Sequence, residues 1–150
     1  MAQSLARILV HLIFSTKDRV AALAPVVRPD LQAYLVGILS HLDCPCLEVG
    51  CVADHAHILF VLHRTLSPAE VVEEVKKGSS KWLKTRGPAM RNFHWQGGYG
   101  AFSVSPSSEG RVRKYILDQE RHHKKITFQD EFRAFLRRHS VPFDERYVWD

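Results

Sequence analysis

A chain of 150 residues with 45% hydrophobic and 25% charged side chains has the size and composition of one soluble domain able to bury a proper core. No apolar run approaches the roughly 18 residues of a membrane span, and the apolar piece from Ile8 to Phe14 contains His11 and lacks a signal-peptide cleavage pattern, so a cytoplasmic protein with no membrane partner is expected. A formal charge of +5 and a pI of 9.3 admit a polyanionic partner without specifying one.

Residues 7 to 14 read as a strand, Ile8, Val10, Leu12 and Phe14 alternating with Leu9, His11 and Ile13. Both faces are largely apolar, which predicts a central strand, and His11 reads as a hydrogen-bonded strand histidine rather than a ligand. An irregular stretch to Val27 follows. Pro29 and Asp30 then open a helix whose apolar residues Leu31, Tyr34, Leu35, Ile38, Leu39 and Leu42 recur at helical spacing. Cys46 to Val52 and His55 to His63 form two strands joined by the tight Ala53-Asp54 turn, a hairpin. Cys44, Cys46 and Cys51 are odd in number and lack a standard zinc spacing, so they read as reduced, mostly buried thiols.

Ser67-Pro68-Ala69-Glu70 is a capping box that starts a helix running to about Thr85, with Val72, Val75, Ser79, Trp82 and Leu83 as its inner stripe. Lys76, Lys77, Lys81, Lys84 and Arg86 decorate the rest, and Phe93, His94 and Trp95 follow. Cations next to rings suit single-stranded nucleic acid. Ala101 to Ser105 is a short strand, and Glu109 to about His123 a helix rich in Arg111, Arg113 and Lys114. Thr127 caps a last helix with Phe128, Phe132, Phe135 and Leu136 on one side, and the tail with Phe143, Tyr147 and Trp149 is too aromatic to stay free. The order predicts one α+β domain over 1–150. It would be a ferredoxin-like antiparallel sheet with helices on one face, plus a helix bearing Tyr115 and a C-terminal helix.

Two spacings carry chemistry. His55 and His57 stand two apart on a strand and share a face, opposite Ala56, Ile58 and Phe60, so both imidazoles can hold one metal ion. Tyr115 and Gln119 stand one helical turn apart; Arg111, Arg113 and Lys114 would favour a phenolate or phosphate beside the tyrosine, and the Gln119 carbonyl could be a third ligand. His122 and His123, just beyond, read as a solvated helix end. The two pairs lie far apart in sequence, and only folding can join them.

Together with Lys77-Gly78-Ser79-Ser80, Trp95 to Ser105 and Tyr115 to Gln119, the Asp54-His55-Ala56-His57 strand resembles the small single-tyrosine HUH (His, hydrophobic, His) transposases of bacterial insertion sequences, including REP-associated relatives. The resemblance runs from the first strand to about His123. It implies a divalent ion, Mg²⁺ or Mn²⁺, on His55, His57 and Gln119, and nicking and rejoining of single-stranded DNA by Tyr115 through a 5′-phosphotyrosine. Hairpin DNA ends and a homodimer are implied with it. The residues leave two other readings open: a metal-dependent hydrolase using the His pair with Asp54, which a regular strand would point away, and a non-catalytic nucleic-acid-binding module.

Overall fold

The computed structural model describes residues 2–150. Its sheet is built from β1 (Ile8–Ser15), β2 (Cys46–Cys51), β3 (His55–Leu62) and β4 (Gly100–Val104), in the antiparallel order β2-β3-β1-β4. That is the ferredoxin-like arrangement. The doubly apolar strand β1 is central, as its pattern predicts, and so is β3. Helices α1 (Arg28–His41) and α2 (Pro68–Leu83) cover one face, where Leu31, Leu35, Leu39, Val71, Val72 and Val75 pack on Val10, Leu12, Phe14, Ala56, Ile58 and Phe60. The Ser67 hydroxyl accepts from the Glu70 amide at 3.1 Å, the capping box expected there.

The other face carries Ile13, His11, His55, His57 and Leu59. It is closed by the rest of the chain. The expected helix over 109–123 is divided: α3 (Glu109–Leu117) and α4 (Gln119–His122) meet at Asp118, whose φ and ψ of −90° and 11° leave the helical region. Ile116 of α3 packs against Leu9 and Leu59. Helix α5 (Phe128–Arg138) lays Phe128, Phe132, Phe135 and Leu136 beside Ile13 and Phe102, its Thr127 hydroxyl accepting from the Asp130 amide.

Glycine at 50 is what lets α3 approach β2. A Cβ there would lie 2.6 Å from the Ile116 carbonyl oxygen, well inside van der Waals contact. The aromatic tail docks as expected: Trp149 packs near Phe128 and Phe132, and the Gly98 amide donates to the Asp150 carbonyl at 2.9 Å. All three cysteines are free thiols, and burial pushes Cys46 up to about 11 and Cys51 to about 12. Among the described residues no helix is long and apolar enough to cross a membrane.

Candidate functional site

Strand alternation sends His55 and His57 to the face under α3–α5, where both side chains are buried. Each ring is oriented through Nδ1. His55 Nδ1 donates to Asp54 Oδ1 at 2.7 Å, and His57 Nδ1 lies 2.8 Å from Nε2 of His11 on the adjoining strand. Asp54 sits in the bend before β3 rather than in the regular strand, and its carboxylate curls back to His55. That contact makes it an orienting group and removes the geometric basis for using it against a metal-bound water. His11 is the hydrogen-bonded strand histidine its position predicts.

Tyr115 and Gln119 do share a face, despite the break at Asp118. The Gln119 side chain is buried, with Nε2 donating to the Tyr115 carbonyl at 3.3 Å and Oε1 3.3 Å from His55 Nε2. Tyr115 stands beside the histidines of its own chain, its ring centroid 5.8 Å from that of His57. Two residues not expected at the site are there as well. His123 is no solvated helix end: its Nε2 lies 3.0 Å from His55 Nε2 and 2.9 Å from Gln119 Oε1. Glu131, 2% exposed, reaches in from α5, its Oε1 2.9 Å from His57 Nε2 and 3.1 Å from His123 Nε2, while Oε2 accepts from the Tyr115 hydroxyl.

A signal for Glu131 does exist in the sequence. It falls three after Phe128 and four before Phe135, a carboxylate inside an otherwise apolar helical stripe, and carboxylates are buried only with partners. His122 stays half-exposed, with Nε2 3.1 Å from the Tyr115 hydroxyl.

The electrostatics follow from burial. Desolvation alone would raise the Glu131 carboxyl, but the neighbouring imidazoles of His123, His55 and His57 hold it far below the usual carboxylate range. Burial drops His57 to about 4 and His11 well below its ordinary value. His55 is raised, because Asp54 and Glu131 outweigh its desolvation. Burial, followed by the Glu131 charge, lifts Tyr115 well above the usual phenol. A positive charge among the imidazoles would cancel that second effect. The donors, imidazole nitrogens with an amide and a carboxylate oxygen, fit a divalent ion.

Outside the buried cluster, Arg111, Lys114, Arg121 and Lys125 line a groove of about 600 Å³ that reaches Tyr115 and His122. Arg113 faces the β2 side, with Glu48 at 3.8 Å and Glu109 at 3.5 Å. The α2 cations lie across the sheet from the histidines, because α2 packs on the Ala56 and Ile58 face. Lys76 is engaged internally, donating to the carbonyls of Gln96, at 2.8 Å, and Gly98, and its ammonium lies 5.4 Å from the Phe14 ring centroid. Lys77, Lys81 and Arg86 are exposed, and Lys84 donates to Ser80 Oγ. Phe93 and Trp95 are core residues, Trp95 Nε1 donating to Ser79 Oγ at 2.9 Å, so they offer no stacking surface; His94 alone of the three is exposed.

Comparison with known proteins gives the fold and the family. No curated protein matches the sequence. Among solved structures, a candidate transposase from Deinococcus radiodurans superposes with a TM-score of 0.62 at 20% identity, covering 79% of this chain and 98% of the other. A REP-associated tyrosine transposase bound to a REP hairpin superposes with a TM-score of 0.61 at 12% identity, covering 84% and 76%. At such identities the likeness is one of fold. The sequence itself matches the family model described as "Transposase IS200 like" over residues 4–119, from ahead of β1 through Gln119, and by that match the chain belongs to the IS200-like transposases.

Proposed function

We propose that this protein nicks and rejoins single-stranded DNA, with Tyr115 as nucleophile beside a divalent ion, Mg²⁺ or Mn²⁺, held at the His55–His57 pair with Gln119 beside it. One observation carries the reading: the Tyr115 hydroxyl and His57 Nε2 contact the two oxygens of a single buried carboxylate, with His55 and Gln119 alongside. Neutral imidazoles leave most of an ion's charge available, and the single Glu131 carboxylate offsets only part of it. When bound, the ion supplies Lewis-acid polarisation of the phosphate and stabilises developing negative charge.

The protein's own groups do the rest. The Tyr115 oxygen bonds to phosphorus as the P–O3′ bond breaks, leaving a 5′-phosphotyrosine and a free 3′-OH. The phenolic proton passes to water in the groove that Tyr115 lines, and the departing 3′ oxygen takes a proton from water in return. Attack by the 3′-OH of another strand breaks the P–O(Tyr) bond and returns the phenol. The phosphodiester energy is retained in the covalent link, so no cofactor nucleotide is needed. Arg111, Lys114, Arg121 and Lys125 offer the backbone a cationic track to the tyrosine, while Lys77, Lys81, Lys84 and Arg86 form a second cationic surface for DNA away from the nick. The likeness to the hairpin-bound transposase supports hairpin ends as the substrate form, and the reading includes a homodimer.

The test incubates the protein with a labelled single-stranded oligonucleotide and Mn²⁺. A covalent adduct is expected from the wild type and none from Tyr115→Phe. Cleavage without an adduct would replace the reading with a hydrolase, and hairpin binding with neither would replace it with a binding module.

A further inference from the structure

The histidine pair is part of a larger constellation, and its hydrogen bonds define which atoms are lone pairs. His55 Nδ1 faces the Asp54 carboxylate at 2.7 Å and His123 Nδ1 faces the Ile126 carbonyl at 3.0 Å. Both partners only accept, so both Nδ1 atoms carry protons, and in the neutral rings both Nε2 atoms are lone pairs. Those two Nε2 atoms stand 3.0 Å apart. Glu131 Oε1 lies 3.5 Å from His55 Nε2, 3.1 Å from His123 Nε2 and 2.9 Å from His57 Nε2. Acceptors this close repel one another unless positive charge lies among them.

These separations, 2.9–3.5 Å, lie close to those of ligands around one ion. With bonds of ~2.0–2.1 Å, neighbouring ligand atoms fall ~2.9–3.4 Å apart, from octahedral to tetrahedral geometry. The Nδ1 anchors are those found behind metal-bound histidines, where a carboxylate or a backbone carbonyl orients the ring. Glu131 Oε1 is near three imidazoles, whereas Gln119 Oε1 is near two, 3.3 Å from His55 and 2.9 Å from His123.

We propose that the cation of this chain is bound by Nε2 of His55, His57 and His123 and by Oε1 of Glu131, with Gln119 in a supporting place. This deepens the proposed function and rests on its assignment of the His pair as a metal site. Three imidazoles and one carboxylate form a nitrogen-rich set that suits Zn²⁺, Co²⁺ and Mn²⁺, whereas Mg²⁺ prefers oxygen ligands in an octahedron. The affinity order Zn²⁺ and Co²⁺ over Mn²⁺ over Mg²⁺ follows.

Calorimetric titration of Co²⁺ into purified protein tests the ligand set without reference to DNA. Glu131→Ala and His123→Ala each weaken binding by more than the ~100-fold that marks loss of a merely supporting partner, and Gln119→Ala by no more than that. Long-range ¹H–¹⁵N spectra of the wild type with Zn²⁺ need no variant to fold: three imidazoles shift at Nε2, and His11 and His122 do not. Two shifted rings, or wild-type affinity in Glu131→Ala, would overturn the four-ligand set while leaving the His pair as a metal site. No Co²⁺ or Zn²⁺ binding by the wild type would overturn both.

Discussion

At Asp54 the structure puts a carboxylate where alternation alone would not. Its Oδ1 fixes the His55 ring, so Asp54→Ala should weaken metal binding ~10- to 100-fold with little change in thermal midpoint, since the side chain is only partly buried; an unchanged affinity by calorimetry would deny it the orienting role. The buried imidazoles set a pH dependence. Native His57 titrates at about 4 and the unfolded side chain at ~6.5, so its contribution is complete above ~6.5 and is lost as pH falls toward 4, on the order of 3 kcal/mol. His11 acts in the same direction. His55, with a raised value, opposes it, stabilising below ~6.5 and losing that contribution as pH rises through its folded value. Two groups against one predict a urea midpoint in metal-free buffer that falls between pH 7 and pH 4.5, and a midpoint that rises over that interval would contradict the burial argument. At this scale the sequence displayed His55, His57, Tyr115 and Gln119, because alternation and helical spacing place side chains by rule. His123 was not legible, because its position depends on the turn after α4. Glu131 was half-legible, as the one acid on an apolar stripe, but the stripe says only that it is buried and not what it meets.

Elements were easier to read than contacts between them. Two apolar faces predicted that β1 is central, and the capping residues Ser67 and Thr127 marked their helices. What no pattern showed is the kink at Asp118, which turns Gln119 and His123 toward the sheet, or how closely α3 lies on β2. That closeness makes Gly50 a sensitive position. Gly50→Ala drives a methyl group to within 2.6 Å of the Ile116 carbonyl, and the expected cost is ~1–3 kcal/mol of overpacking. Because Tyr115 precedes Ile116, adduct formation should fall more than stability does; a variant with reduced thermal midpoint but wild-type adduct yield would show that α3 can shift without moving the tyrosine.

The whole molecule separates its positive charge into two regions that composition reported as one number. The groove cations Arg111, Lys114, Arg121 and Lys125 reach Tyr115, and the α2 cations lie on the far face of the sheet. If four groove cations contact phosphates, log K for single-stranded DNA should fall against log salt with a slope of about −3. Lys114→Gln with Arg121→Gln should reduce that slope by roughly 1.4. Filter binding across a salt series decides this, and equal slopes in wild type and groove variant would remove the groove from the DNA path.

The two oxygens of Glu131 have a consequence for descent as well as chemistry. One meets the histidines and the other the Tyr115 hydroxyl, so a change at position 131 alters ion and nucleophile together, and His123 loses a partner at the same moment. Drift at either position alone is therefore penalised twice. Among relatives that keep the His pair and the tyrosine, an imidazole at the position of His123 and an acid at that of Glu131 should be inherited or lost as a unit, and an alignment in which the two vary independently would refute that linkage.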